Sequence, residues 1–166
     1  MSSLLLIFEP LSTSAGALRD VLDMLIASTQ LPEESQARLV TIPVCYGGDY
    51  GPDLEWVAAR CGMSPQQVVE LHCGHTYRVM MIGFAPGFPY IGMLPAALHV
   101  PRRATPRAAL PGGSVAIAAG LTGIYPTRLP GGWHIIGRTD VALFDAQAAM
   151  PTYLCAGDRV RFVEAQ

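Results

Sequence analysis

The sequence predicts a mainly β protein: a barrel or barrel-like sandwich over residues 38–166, preceded by a small, partial α+β unit and linker over residues 1–37. Three observations carry this prediction. Beyond Gly74, short β-rich runs (YRVMMIG, SVAIAAG, WHIIGR and DRVRFVE) alternate with glycine and proline turns. Many short strands with long ordered loops suit a sheet that closes or nearly closes on itself. Residues 1–37 hold one apolar run and one amphipathic helix, too few elements to bury both apolar faces alone. With 166 residues and 51% hydrophobic side chains, the chain can bury one sizeable core, or one domain plus an appendage.

In chain order, Ser3–Glu9 (SLLLIFE) reads as a buried strand closed by Pro10. Ser14 caps a helix whose Leu18, Val21, Leu22, Leu25 and Ile26 recur on one face, and Leu31–Gln36 is a polar linker. Arg38–Tyr46 is β-rich, with Pro43 placing it at an edge or bulge. GGDYGP turns the chain, and Asp53 is placed to cap a helix running through Arg60 and ending at Gly62. Ser64, Pro65 and Gln67 supply cap, first-turn proline and capping-box partner for a second helix, stopped by Gly74. These two helices could form a helix-turn-helix, but the second, PQQVVELH, has an acid and no basic residue to meet phosphate, which argues against nucleic-acid reading.

Composition excludes further classes. All eleven basic residues are arginine, so a Walker-type lysine, a Schiff-base lysine and a biotinylated lysine are ruled out within the chain. No apolar run reaches the roughly eighteen residues of a membrane span. The N-terminus lacks the basic flank and cleavage site of a signal peptide, so the expected location is cytoplasmic. Cys45, Cys61, Cys73 and Cys155 show no C-x-x-C pair and read as free thiols.

The charge is lopsided although the net value is only −2. Leu71–Thr139 contains no Asp or Glu, yet holds six arginines and all four histidines; the remainder carries five arginines against thirteen acids. Such a segment suits a carboxylate or phosphate, which arginine grips bidentately. Alternatively its arginines pair with acids from the flanking segments. It does not suit a self-contained Mg²⁺ site, which wants carboxylate oxygens.

Gly83–Gly92, GFAPGFPYIG, packs three glycines, two prolines and three aromatic rings into ten residues and must be a shaped loop. Its rings need cover from the core, a ligand or a partner chain. Other motifs are weaker. His72 and His75 offer at most two metal ligands, so no metal is expected, and His72 is the better candidate as an acid or base. Ser114 lacks the nucleophile-elbow context. Gly112/Gly113 and Gly131/Gly132 could present amides to an anion or simply mark turns.

GFAPGFPYIGMLP, PRRATPR, LPGGSVAIA, TGIYP and PGGWHIIGRT, followed by LFD and GDRVRF, resemble the family of the 5-oxoprolinase B subunit, also called allophanate hydrolase subunit 1 and including the kinase inhibitor KipI. The resemblance runs from about Leu5 to Phe162 and implies an N-terminal α+β domain followed by a cyclophilin-like β-barrel. Typical members carry further N-terminal residues, so the α+β part is expected to be partial here. Met93, Gly113 and Leu121 stand where the family usually has glycine, alanine and glutamine.

The resemblance further implies a component that works with a C subunit, itself barrel-like, in an ATP-dependent complex that opens 5-oxoproline to glutamate. The alternatives are an allophanate hydrolase or urea carboxylase type of carboxyltransferase subunit, and a KipI-like inhibitor of a histidine kinase without catalysis. No intrinsic cofactor is expected; ATP belongs to the assembled complex. On this reading Arg102, Arg103, Arg107 and Arg138 orient an anionic or amide substrate and offset charge developing on it. His72 and Tyr125 are the proton-transfer or positioning candidates, and Phe84, Phe88, Tyr90 and Trp133 form an apolar wall or the face that meets the C subunit.

Overall fold

The computed structural model describes residues 5–29 and 37–165. The chain divides into two compact units, Met1–Gln36 and Ala37–Gln166. In the first, helix α1 spans Ala15–Ser28, and the Ser14 hydroxyl accepts a hydrogen bond from the Ala17 amide at 3.2 Å, as the cap signal predicts. The helix buries no residue: Val21, Leu25 and Ile26 of its predicted apolar face are exposed. The strand expected at Ser3–Glu9 does not form over its described part. Residues 5–9 are exposed and join no ladder, because an apolar run becomes a strand only where a partner backbone accepts its hydrogen bonds. Residues 3 and 4 of that run, and the linker expected at Leu31–Gln36, lie outside the described residues.

The second unit is the predicted barrel. Its elements are β1 (Leu39–Tyr46), α2 (Leu54–Cys61), α3 (Pro65–Cys73), β2 (Thr76–Ile82), β3 (Pro89–Gly92), β4 (Arg107–Leu110), β5 (Ser114–Ala118), β6 (Leu121–Ile124), β7 (Leu129–Gly131), β8 (His134–Arg138) and β9 (Arg159–Glu164). Seven strands close in the order β1-β8-β5-β6-β3-β2-β9, while β4 and β7 form a separate two-stranded ribbon. The closing seam is parallel, β1 running along β9 from Leu39↔Arg159 to Val44↔Glu164. Strand β1 meets β8 only at Cys45 and Tyr46, so Pro43, which has no amide hydrogen to donate, sits where that side carries no ladder.

Alternation turns Val40, Ile42, Val44, Val160 and Phe162 inward with Val79, Ile91, Val115 and Ile136, and Val57, Val68 and Val69 of α2 and α3 complete this core. The α3 cap is as predicted: the Gln67 amide donates to the Ser64 hydroxyl and the Ser64 amide to the Gln67 side chain at 2.8 Å. Helix α2 ends on Gly62 in the left-handed region, φ 68°. Its start differs from expectation. Asp53 makes no side-chain cap, because its carboxylate is engaged elsewhere.

Candidate functional site

The loop between β2 and β3 is pinned by its own backbone. The Gly83 amide donates to Phe88 O at 3.0 Å, the Phe88 amide to Ala85 O at 3.0 Å and the Ala85 amide to Gly83 O at 2.9 Å. That last bond closes a three-residue turn with Phe84 at its centre, at φ 70°, a conformation that is strained for any residue with a side chain. The Phe84 ring stands 59% exposed at the tip.

Behind it the rings predicted from sequence form one cluster. Phe88 is buried and meets Phe84, Tyr90, Tyr125 and Trp133 edge-on, at centroid distances of 5.4, 5.0, 5.1 and 5.9 Å. Edge-to-face contacts of this kind add about 1 kcal/mol each beyond buried area. Two glycines make the packing possible. A Cβ on Gly131 would lie 2.2 Å from the Tyr125 hydroxyl, and one on Gly123 would press Phe88 and Trp133 at 3.1 and 3.2 Å. Burial, reinforced by Tyr90 and opposed by the charge of Arg102, pushes the Tyr125 hydroxyl up to about 12. It therefore stays protonated at neutral pH and is no base, and at 2% exposure Tyr125 packs within the cluster as a positioning residue.

Arg102 sits on a segment clamped from three sides. The Arg103 amide donates to Gly132 O at 2.8 Å, and His134 Nε2 meets Pro101 O at 2.9 Å, which makes Nε2 the protonated nitrogen. Asp53 supplies the third tie: Arg103 Nη1 donates to it at 2.9 Å, Arg107 grips both its oxygens at 2.6 and 2.8 Å, and the Ile135 amide adds a bond at 2.8 Å. Burial works against the charged carboxylate, yet the Arg107 hydrogen bonds, the Ile135 amide and the two guanidinium charges hold it below its ordinary range. The His134 ring stacks on Trp56 at 4.2 Å, and burial lowers its basicity.

His72 is not at this face. It is wholly buried within the barrel core, 4.4 Å from the Phe162 ring, and both ring nitrogens have partners. Thr122 gives its proton to Ala116 O, so it must accept from His72 Nε2–H at 3.1 Å; Nδ1 then accepts from the Tyr46 hydroxyl at 2.7 Å, which in turn accepts from the Cys73 thiol. Burial pushes the imidazole down to about 3. A group without access to substrate and without a proton to give at neutral pH is a structural hub, which corrects the expectation of an acid or base at His72. His75 is exposed and bonds Leu71 O, so the two histidines do not converge.

The four arginines grouped from sequence thus divide among three places: Arg102 within reach of Tyr125 by its charge alone, Arg103 and Arg107 on Asp53, and Arg138 in a separate cleft beside Cys45 and Tyr50. For Arg103 and Arg107 the alternative weighed from sequence, pairing with an acid from a flanking segment, is the one realised. Gly112 and Gly113 form a turn in which Gly113 donates its amide to Tyr125 O, whereas Gly131 ends strand β7 opposite Arg107 and Gly132 accepts from the Arg103 amide. Sequence reasoning missed Asp53 as an anchor. The available signal was its place in the acid-bearing segment that flanks an acid-free, arginine-rich span, but nothing local directs it there.

The model for the carboxyltransferase domain, subdomain C and D, matches residues 1–154. The chain belongs to this family. Within it, the 5-oxoprolinase B subunit of Escherichia coli O157:H7 is 55% identical over 130 residues, which cover 78% of this chain and 60% of that protein. The chain therefore spans less than two thirds of that relative's length. The crystal structure of the conserved uncharacterized protein PH0987 from Pyrococcus horikoshii superposes with a TM-score of 0.76 at 38% identity, covering 96% of this chain and 73% of that one. Kluyveromyces lactis urea carboxylase superposes with a TM-score of 0.68 at 16% identity, over 92% of this chain and 16% of that one, and shows the shared fold alone. The family assignment agrees with the resemblance carried by GFAPGFPYIGMLP and the motifs after it. Among the described residues, no helix is long and apolar enough to cross a membrane.

Proposed function

We propose that this chain serves as the B subunit of a 5-oxoprolinase, working with a C subunit to open the lactam of 5-oxoproline to glutamate. The observation that carries this reading is the 55% identity to the Escherichia coli protein over 130 residues. The geometry gives the reading a mechanism. Arg102, on the segment clamped at Asp53, orients the substrate carboxylate or offsets charge developing on the lactam oxygen, and Tyr125, buried in the aromatic cluster, acts as a positioning residue behind the face. Phe88, Tyr90 and Trp133 exclude water behind them, and exposed Phe84 meets the C subunit. On this reading ATP acts in the assembled complex, and no step through it is assigned to a residue of this chain.

A substrate panel tests the reading. The assembly reconstituted from this chain, the C subunit and the ATP-dependent component is expected to release glutamate from 5-oxoproline and to leave allophanate and urea untouched. Turnover of allophanate or urea instead would favour the carboxyltransferase alternative, and no turnover together with inhibition of a histidine kinase would favour the KipI-like one. Phe84→Gly removes an exposed ring and relieves a positive φ, so its stability should stay within the range of a surface substitution, about 0.5 kcal/mol. Its affinity for the C subunit should fall at least tenfold by titration calorimetry; unchanged affinity would remove Phe84 from the interface.

A further inference from the structure

Arg138 occupies a site that the aromatic face does not use. A cleft of about 370 Å³ opens beside β1 and the end of β8, with Cys45, Tyr50, Arg138, Thr139, Asp140 and Val141 among its walls. That volume falls within the range of small-molecule sites. The Arg138 backbone is held rigidly, paired with Cys45 of β1 on one side and Ser114 of β5 on the other. Its Nε is buried and has no hydrogen-bond partner. Among the described residues neither Arg138 nor Asp140 forms an ion pair, with each other or with any third group.

The backbone between them explains why they stay apart. Thr139 is 4% exposed, donates its amide to Gly113 O at 2.9 Å and accepts from the Val141 amide on its hydroxyl. Gly113, at φ 80°, leaves no slack: a Cβ there would lie 2.1 Å from Thr139 O. The cleft therefore presents a guanidinium and a carboxylate that flank one fixed residue and do not neutralise each other. A ligand that satisfies both carries an anion and a cation on one small frame.

We propose that this cleft binds the zwitterionic end of an α-amino acid, its carboxylate on Arg138 and its ammonium on Asp140. The choice of glutamate as the amino acid rests on the 5-oxoprolinase reading. Hydrolysis of the lactam breaks the C–N bond, water supplying the hydroxyl and proton, and converts a neutral amide nitrogen into an ammonium group. A site that reads both charges thus distinguishes product from substrate and gives the chain a product-sensing function separate from the aromatic face.

Titration calorimetry of this chain with L-glutamate, 5-oxoproline and glutarate tests it. Saturable binding of L-glutamate is expected, at least tenfold tighter than that of 5-oxoproline or glutarate. Arg138→Met should weaken glutamate at least tenfold. Asp140→Asn, at an exposed position, should bring glutamate down to the affinity of glutarate while leaving the fold intact by circular dichroism. Absence of saturable glutamate binding, equal affinity for glutamate and glutarate in the parent, or unchanged glutamate affinity in Asp140→Asn would each overturn the proposal. The functional reading fails or stands separately, on turnover of 5-oxoproline by the reconstituted assembly: turnover without glutamate binding here sinks only this site, and binding without turnover sinks only that reading.

Discussion

Replacing Asp53 with alanine is expected to destabilise the barrel unit by about 3 kcal/mol, the lower end of the cost of breaking a buried ion pair. The lower end applies because the two arginine side chains keep 31% and 27% of their exposure and can recruit water once the carboxylate is gone. The Ile135 amide cannot, since it is buried against Asp53, and an orphaned buried donor carries its own penalty. Asparagine at the same position keeps an acceptor for that amide but loses the charge, so it should fall between parent and alanine. Urea denaturation of the three proteins measures this order. A loss below about 1 kcal/mol for Asp53→Ala would mean the triad is incidental. Because the same carboxylate holds the segment that carries Arg102, Asp53→Asn should also lower turnover, through Arg102's position rather than through contact with substrate.

Acid should unfold the barrel earlier than its carboxylates alone would dictate. His72 is neutral in the folded state and its folded value is depressed to about 3, against about 6.5 when unfolded. Between these values the unfolded chain binds a proton that the folded chain refuses. The stability is therefore complete above about pH 6.5 and is lost as pH falls toward 3, by on the order of 5 kcal/mol over the whole interval. His134, lowered chiefly by burial, adds to the loss with the same sign. Asp53 acts lower: its depressed value means its contribution is present above the ordinary carboxylate range of about 4 and is lost as pH falls through its folded value. Denaturation midpoints at pH 7.5, 6, 5 and 4 should decline steadily. In His72→Gln, which is less stable at pH 7.5 because Tyr46 and Thr122 are poorly paired, the slope between pH 6 and 4 should flatten. An identical slope in parent and variant would show that His72 is protonated in the fold.

What can be read from the residues and what cannot follows from the range of the interactions. The capping box of Ser64 and Gln67 closes within one turn, and the turn over Gly83–Phe88 is forced by its own glycines and proline, so both are legible locally; Pro89–Gly92, expected as part of the same loop, instead pairs with β2 and β6 as strand β3. The aromatic cluster is legible as a set because large rings in an apolar chain must find one another, although which glycines make room for them is not. Asp53 looks like a helix cap because nothing nearby shows that two guanidinium groups, fifty and fifty-four positions on, compete for its carboxylate and win. The cleft at Arg138 depends on the pairing of Cys45 with Arg138 across the closing sheet, a register no local pattern encodes. Residues 5–9 have strand composition without a partner, and composition alone does not make a ladder.

The role of the aromatic face turns on Arg102, which forms no ion pair with Asp53 and whose charge acts on Tyr125. The decisive measurement is the rate of ATP-dependent glutamate release by the reconstituted assembly carrying Arg102→Met, alongside the stoichiometry of its complex with the C subunit. A fall of about a hundredfold in turnover, as for loss of one oxyanion-stabilising donor, with a 1:1 complex and an unchanged melting temperature, is the predicted result. Parental turnover in Arg102→Met would contradict it and leave the face as a packing surface only.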